Sequence, residues 1–386
     1  MRARSEALLP LAALVGALLA GPVQAAAPAG PATLIYAGRV FDSEGGRMLG
    51  PRLILVQDGR IAEIGSAIGV PPGTRRIDLR AYTVLPGLIE SHAHLLVDAA
   101  APPAAAGESL RALRGAGHAR SYLEAGYTSV RNLGKAGRYA DVALKRAIEE
   151  GSVPGPRLFV SGPSLAPGAA GDDRIVRGAD DARAAVREHV RQGVDLIRID
   201  ANGVDEATMS LEEMQAAVGE AHAARLKVTA YATSDAAIAR ALEAGVDAIE
   251  HGEAASNETL NRMRQESVPM VPLQPFGERL RQARAAGVML AAGSDAGTRP
   301  DRGETARRAL LAWVEAGLAP REVLQAATIN SARLLGVPGL GVLDAGAHAD
   351  IIAVQGDPLV ELEALMRVVF VMKAGQPVRT PAPRAP

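Results

Sequence analysis

The chain has 386 residues, 48% of them apolar, and a formal net charge of −1. It is long enough to bury a large core, and its near-neutral balance gives no electrostatic footprint for nucleic acid or an anionic membrane. The absence of cysteine excludes disulfides, thiolate metal sites and a cysteine nucleophile, and an aromatic content of 3% leaves few ring faces for stacking bases or sugars.

Residues 1–26 read as a secretory signal peptide. Arg2 and Arg4 precede an apolar run over 8–20, and Val23, Gln24 and Ala25 offer small-residue cleavage after Ala25 or Ala26. The run is shorter than the ~20 residues a bilayer span needs, which counts against the alternative of an uncleaved anchor. The expected location is therefore periplasmic or secreted, with no stable membrane insertion once the leader is gone. A Pro/Ala linker follows. From 33 to 84 the texture changes to short strands at 34–36, 52–56 and 60–64, with Asp58-Gly59 as a hairpin turn between the last two.

From residue 88 strands and helices alternate. The first strand runs into His92 and His94. Helix 109–125 then leads to strand 127–131, helix 139–150 to strand 157–161, and helix 180–192 to strand 194–199. Helix 211–224 leads to strand 226–232, helix 234–244 to strand 248–250, helix 258–265 to strand 268–273, and helix 279–286 to strand 288–293. Eight such units predict a (β/α)8 TIM barrel, an α/β fold. Gly126, Gly193, Gly245 and Gly287 stand where a left-handed cap would stop a helix. The β texture returns at 341–354 and 368–372, so the two ends of the chain are expected to build one small composite β-sandwich domain. The expected division is 33–85 and 339–380 for that domain and 86–338 for the barrel, with 381–386 as a tail.

Barrel chemistry sits at the C-terminal ends of the strands. Strand one offers His92 and His94, which alternation places on one face. On its own the pair fits packed imidazoles as well as metal ligands. Strand six ends Ile249-Glu250-His251-Gly252 and strand eight ends Gly293-Ser294-Asp295-Ala296-Gly297. His92, His94, His251 and Asp295 together are expected to hold a divalent metal, and Asp295 could also take a proton from metal-bound water. His118, His189, His222 and His348 are expected to be satisfied or solvated, and the Arg/Glu-rich face at 302–308 to be solvated surface.

These strand-end motifs, with Pro86-Gly87-Leu88-Ile89-Glu90-Ser91-His92-Ala93-His94, the run 324–336 and Ala349-Asp350-Ile351-Ile352, resemble the amidohydrolase superfamily. The resemblance is to its imidazolonepropionase- and prolidase-like branch. It implies metal-activated water acting on amide, peptide or lactam bonds of a small molecule or short peptide. Two positions depart from the branch. Where it carries a lysine that becomes carboxylated and bridges two metals, this chain has Arg198, and where it carries a histidine ligand, this chain has Tyr231. A guanidinium cannot form a carbamate bridge. The site is therefore expected to be degenerate, holding one metal per chain, with zinc the expected ion. Asp200, on the same strand parity as Arg198, is a substitute ligand, and either Asp200 or Asp295 is expected to pair with Arg198. The region between 274 and 287 is short for the branch, which implies a more open pocket or a lost one. The predicted function is an exported hydrolase of carbon–nitrogen bonds. The alternative is a catalytically degenerate relative that binds ligands or serves as a scaffold.

Overall fold

The structure, a computed structural model, describes residues 32–97, 107–168, 172–202, 208–273, 277–297, 299 and 301–381. The expected signal segment, the linker up to residue 31 and residues 382–386 of the expected tail lie outside the described residues.

The chain begins with strands β1 (Thr33–Asp42), β2 (Arg47–Leu49), β3 (Arg52–Gln57), β4 (Arg60–Gly65) and β5 (Arg75–Pro86). Asp58 and Gly59, at φ 49° and 75°, form the two-residue turn that sets Gln57 opposite Arg60. The long strand β5 carries mixed polar and apolar residues and gave no clear periodic signal. It runs parallel to β1 and antiparallel to β15 (Ile351–Val354), which is followed by β16 (Val368–Lys373) and β17 (Gln376–Arg379). The result is one composite sheet in the order β17-β16-β15-β5-β1-β3-β4, with β2 on β1. The sheet curls over its own apolar face. The Ile61 N–H donates to the Ala347 carbonyl at 2.9 Å, and the Ala349 N–H donates to the Gly59 carbonyl at 2.9 Å, so β4 meets the segment leading into β15. Ile35, Ile54, Ile61, Leu79, Ile351 and Phe370 fill the space between.

The barrel strands are β6 (Leu88–Ala93), β7 (Tyr127–Asn132), β8 (Arg157–Val160), β11 (Leu196–Asp200), β12 (Lys227–Ala232), β13 (Ala248–His251) and β14 (Met270–Val271). Two short strands, β9 (Leu165–Ala166) and β10 (Arg174–Ile175), lie on the flank of β11. All the pairings in this part are parallel. The gap between β8 and β11 is bridged by the Asp195 N–H donating to the Val160 carbonyl at 2.8 Å.

The eighth segment pairs with β14 only through a bridge at Leu290. It closes the ring through the Ser91 N–H to the Ala292 carbonyl at 2.9 Å and the Asp295 N–H to the His92 carbonyl at 3.0 Å. It falls short of a full strand because the Ala292 N–H turns to the Ala326 carbonyl instead of a neighbouring strand.

The helices are α1 (Glu108–Glu124), α2 (Ala140–Glu149), α3 (Ala179–Gln192), α4 (Leu211–Ala223), α5 (Asp235–Ala244), α6 (Asn257–Gln265), α7 (Glu278–Ala286), α8 (Arg302–Glu315), α9 (Pro320–Gln325) and α10 (Ser331–Leu335). Ser210, Ser234 and Ser256 cap α4, α5 and α6 through their hydroxyls, and Glu213 completes a capping box on α4. Gly193, Gly245 and Gly287 end α3, α5 and α7 at φ 79–89°. Among the described residues no helix is long and apolar enough to cross a membrane.

One expectation about the surface fails. Arg302 opens α8 but is 2% exposed. Its guanidinium donates to the His94 carbonyl at 2.7 Å and to the Val97 carbonyl, so it clamps the chain leaving the first barrel strand. A charge-rich stretch read by composition alone hides such an inward arginine, because the carbonyls it satisfies lie about two hundred residues earlier in the chain.

Candidate metal centre

The C-terminal mouth of the barrel gathers a polar interior that few cores contain. Glu90, Ser91, His92, His94, Arg131, Asn132, Arg198 and Glu250 are all buried there. Buried polar groups persist only where partners satisfy them, so each contact identifies a role.

The His92 Nδ1 lies 2.7 Å from Glu250 Oε2, and the His94 Nδ1 lies 3.3 Å from the Gly134 carbonyl. The His251 Nδ1 lies 2.7 Å from Glu253 Oε1. In each case the partner is an acceptor, which fixes the proton on Nδ1 and leaves the Nε2 lone pair free. The Nε2 atoms of His92 and His94 then face each other at 3.3 Å, and His94 Nε2 lies 3.4 Å from Asp295 Oδ1. The His251 Nε2 is buried with no partner. His92, His251 and Asp295 each offer an atom within 4.8 Å of the other two.

Burial lowers His92 to about 4, against the opposing pull of Glu250, so the ring is neutral. His94 is held well below its ordinary value, first by burial and then by the charges of His92, Arg198 and Lys135.

This donor set fits a divalent cation. Two imidazole lone pairs facing each other repel unless a cation lies between them, and tetrahedral zinc with Zn–N bonds near 2.05 Å separates its ligands by about 3.3 Å. The backbone supports the same reading. His251 and Asp295 sit at φ 70° and 48°, a left-handed region that costs non-glycine residues energy and recurs at functional sites.

The supports around the donors were not assigned from the sequence. Glu250, fully buried, accepts from Arg131 at 2.5 Å and from the Thr229 hydroxyl while holding His92. Burial alone would raise its pKa, but Arg131 and His92 overcome that and hold it at about 2. The Arg131 Nε also donates to the Ser91 carbonyl at 2.6 Å. Glu90 accepts from the backbone N–H groups of His92 and Ser294 at 2.8 and 3.0 Å, joining the first barrel strand to the eighth segment. Both glutamates lie inside the quoted motifs, but nothing in spacing told a ligand's support from a packed carboxylate.

Burial raises the Glu90 carboxyl from 4.5 to about 7. Between those values the unfolded chain releases the proton and the folded chain keeps it. Stability from this group is thus full below pH 4.5 and declines as pH rises to about 7. Glu90→Gln should remove that decline, on the order of 3 kcal/mol, from a pH series of urea denaturation curves on metal-free protein. An unaltered slope would assign the titration to another group.

The two departing positions face this centre. Arg198 is buried and donates to the Leu133 carbonyl at 2.6 Å, and its guanidinium lies 5.4 Å from the centre of the Tyr231 ring. The Tyr231 ring meets His251 edge-on at 4.7 Å. The expected ion pair of Arg198 with Asp200 or Asp295 is not formed among the described residues. The carbonyl and the aromatic face take its charge instead, while Asp200 accepts from the Asn202 N–H at 3.0 Å. Beside His251 a cleft of about 330 Å³ is lined by Gly252, Glu253, Met270, Pro272 and Leu280.

The amidohydrolase family profile matches residues 83–378. Ochratoxinase of Aspergillus niger is 29% identical, over 90% of this chain and 87% of its own length. A solved amidohydrolase structure superposes with a TM-score of 0.83 at 30% identity, covering 90% of this chain and 99% of its own. A Xaa-Pro dipeptidase structure with methionine in its active site gives 0.81 at 28% identity, covering 90% and 100%. The family profile spans the barrel and the C-terminal strands of the composite sheet, and the His–His–Asp cluster is a partial form of a metal centre; the chain belongs to the amidohydrolase family.

Proposed function

We propose that this protein is an exported, metal-dependent hydrolase of carbon–nitrogen bonds in amides, short peptides or cyclic amides, with one zinc ion per chain. The supporting observation is the clustering of donor atoms of His92, His251 and Asp295 within 4.8 Å of one another, with the His94 Nε2 3.3 Å from that of His92 and 3.4 Å from Asp295 Oδ1. His92, His94, His251 and Asp295 are the proposed ligands. In this reading the barrel spans 86–338, and 33–85 with 339–380 form the supporting β domain.

A bound divalent cation would supply Lewis acidity and a water whose pKa is drawn toward neutrality. The chain does the rest. Glu250, Gly134 and Glu253 fix the tautomers of the three imidazoles. Asp295, partly open to solvent, takes the proton from water and passes it to the leaving nitrogen. Tyr231 and the cleft beside His251 position the substrate. The similarity to ochratoxinase and to a Xaa-Pro dipeptidase supports the substrate class, and the lysine-to-arginine change supports a single metal. A second divalent ion a few ångströms from the fixed charge of Arg198 would be repelled by on the order of several kcal/mol at an effective dielectric of ~20.

Elemental analysis after growth in zinc tests this reading. The expected result is about one metal per chain in the wild type and little in His92→Ala. Hydrolysis of some member of an N-acyl amino acid and dipeptide panel should follow the metal. Arg198→Lys combined with Tyr231→His should raise the stoichiometry toward two, and no change would show that these positions do not exclude the second ion. Arg198 and Tyr231 also favour a second reading, a catalytically degenerate ligand-binding protein, and absence of metal after reconstitution would select it.

A further inference from the structure

We propose that the lower part of the barrel lumen is a binding site for a short-chain carboxylate, a small anion with an apolar body. The site lies on the side of the Arg131–Glu250 pair away from the donor cluster, and binding there needs neither metal nor hydrolysis at the mouth.

A barrel lumen is ordinarily filled by layers of bulky branched side chains. On β11, β12 and β13, Leu196, Thr229 and Ala248 each stand two residues before Arg198, Tyr231 and Glu250. Alternation therefore turns them into the same lumen one layer lower. With Thr229 and Ala248 small, that layer is incomplete. It borders a cavity of about 160 Å³, whose wall also includes Phe159 and the end of α10 at Leu335 and Gly336. The volume holds about five water-sized groups at ~30 Å³ each.

Arg131, 3% exposed, lines this cavity. Its Nε donates to the Ser91 carbonyl and its Nη2 to Glu250 at 2.5 Å. Among the described residues no acceptor meets its Nη1, and a buried guanidinium donor left unpaired is costly. The two carboxylates of the wall are already engaged. Asp195 accepts from Lys145 at 2.5 Å and from the Val160 N–H at 2.9 Å. Asp247 accepts from the Val228 N–H at 2.7 Å and lies 2.9 Å from His222 Nε2. The amino group of Lys227 meets the carbonyls of Arg333 and Leu334 at 3.2 and 2.8 Å, and no carboxylate among the described residues. With Arg131 and Arg225 it brings three positive charges to a wall that carries two negative ones. An occupant with one negative charge balances that excess and supplies Arg131 with its missing acceptor. Its hydrocarbon part is buried against Phe159, Leu196 and Leu335.

Ligand-observed NMR titration of butyrate and of its neutral isostere butyramide into the full chain tests the site. Excess chelator is present throughout, because a carboxylate would also bind a metal at the mouth. Wild type should bind butyrate saturably, and butyramide about tenfold more weakly or less for want of the charge. Ala248→Leu, which fills the cavity and alters no charge, should weaken butyrate by about tenfold or more, and Arg131→Met should do the same. The butyramide comparison needs no variant, so it decides the matter even if loss of the buried Arg131 or overfilling at Ala248 prevents folding. No saturable binding of butyrate by wild type, or equal binding of butyramide, overturns the proposal. So does butyrate binding that is indifferent to Ala248→Leu or Arg131→Met in a variant that still unfolds cooperatively. Hydrolysis of the amide panel is read separately with zinc restored, so its failure would end the hydrolase reading and leave the carboxylate site standing.

Discussion

Glu250→Leu is expected to cost about 4 kcal/mol of folding stability, because it leaves the Arg131 guanidinium, among the described residues, with the Ser91 carbonyl as its remaining hydrogen-bond partner. Arg131→Met should cost a similar amount by stranding the carboxylate. The double variant should cost clearly less than the two together, since the partners that remain are apolar. Urea denaturation of the four proteins measures the coupling. Glu250→Leu should also weaken metal binding by about 10–100-fold, because His92 loses the acceptor that holds its Nδ1 proton. Competition with a chelator reads that effect separately. A Glu250→Leu protein with wild-type stability and wild-type metal affinity would remove Glu250 from the centre's support.

The second large effect is at Asp295. Asp295→Asn preserves an oxygen toward His94 but removes the basic carboxylate, so turnover should fall by about 10³-fold, within the range lost with a general base. A variant that retained turnover would move proton transfer to another group.

The alternation that defines the barrel was legible because it depends on local signals. Helix ends marked by Gly193, Gly245 and Gly287 and strand ends marked by paired histidines need only a few neighbouring residues to be read. β5 escaped notice because its face is set by β1 and β15, one before it and one some 270 residues later, and its own residues do not alternate cleanly. The strand-end positions named candidate donors, and the structure clusters His92, His251 and Asp295 there, with His94 against His92 and Asp295. Their supports could not. Glu250 becomes meaningful only when Arg131, far away in sequence, is folded against it. Arg302 misled in the opposite sense, since its composition suggested solvent while its partners are backbone carbonyls of the first barrel strand's exit. Arg198 was seen as a departure, but its preference for a carbonyl and a ring over a carboxylate was decided by the packing of β11 against the loop after β7.

The place of β15 in the composite sheet has a consequence for how the chain is made. β5 lies at the centre of that sheet, between β1 and β15, and leads through Gly87 alone into the strand bearing His92. A ribosome delivers β1, β3, β4 and β5 early, but one edge of β5 stays unpaired until residues 351–354 emerge. Throughout most of synthesis this long strand presents an open ladder, the kind of surface that invites wrong pairing and chaperone attention. Completion of the sheet is therefore a late event that must await nearly the whole polypeptide. A chain built this way remains unfinished during elongation.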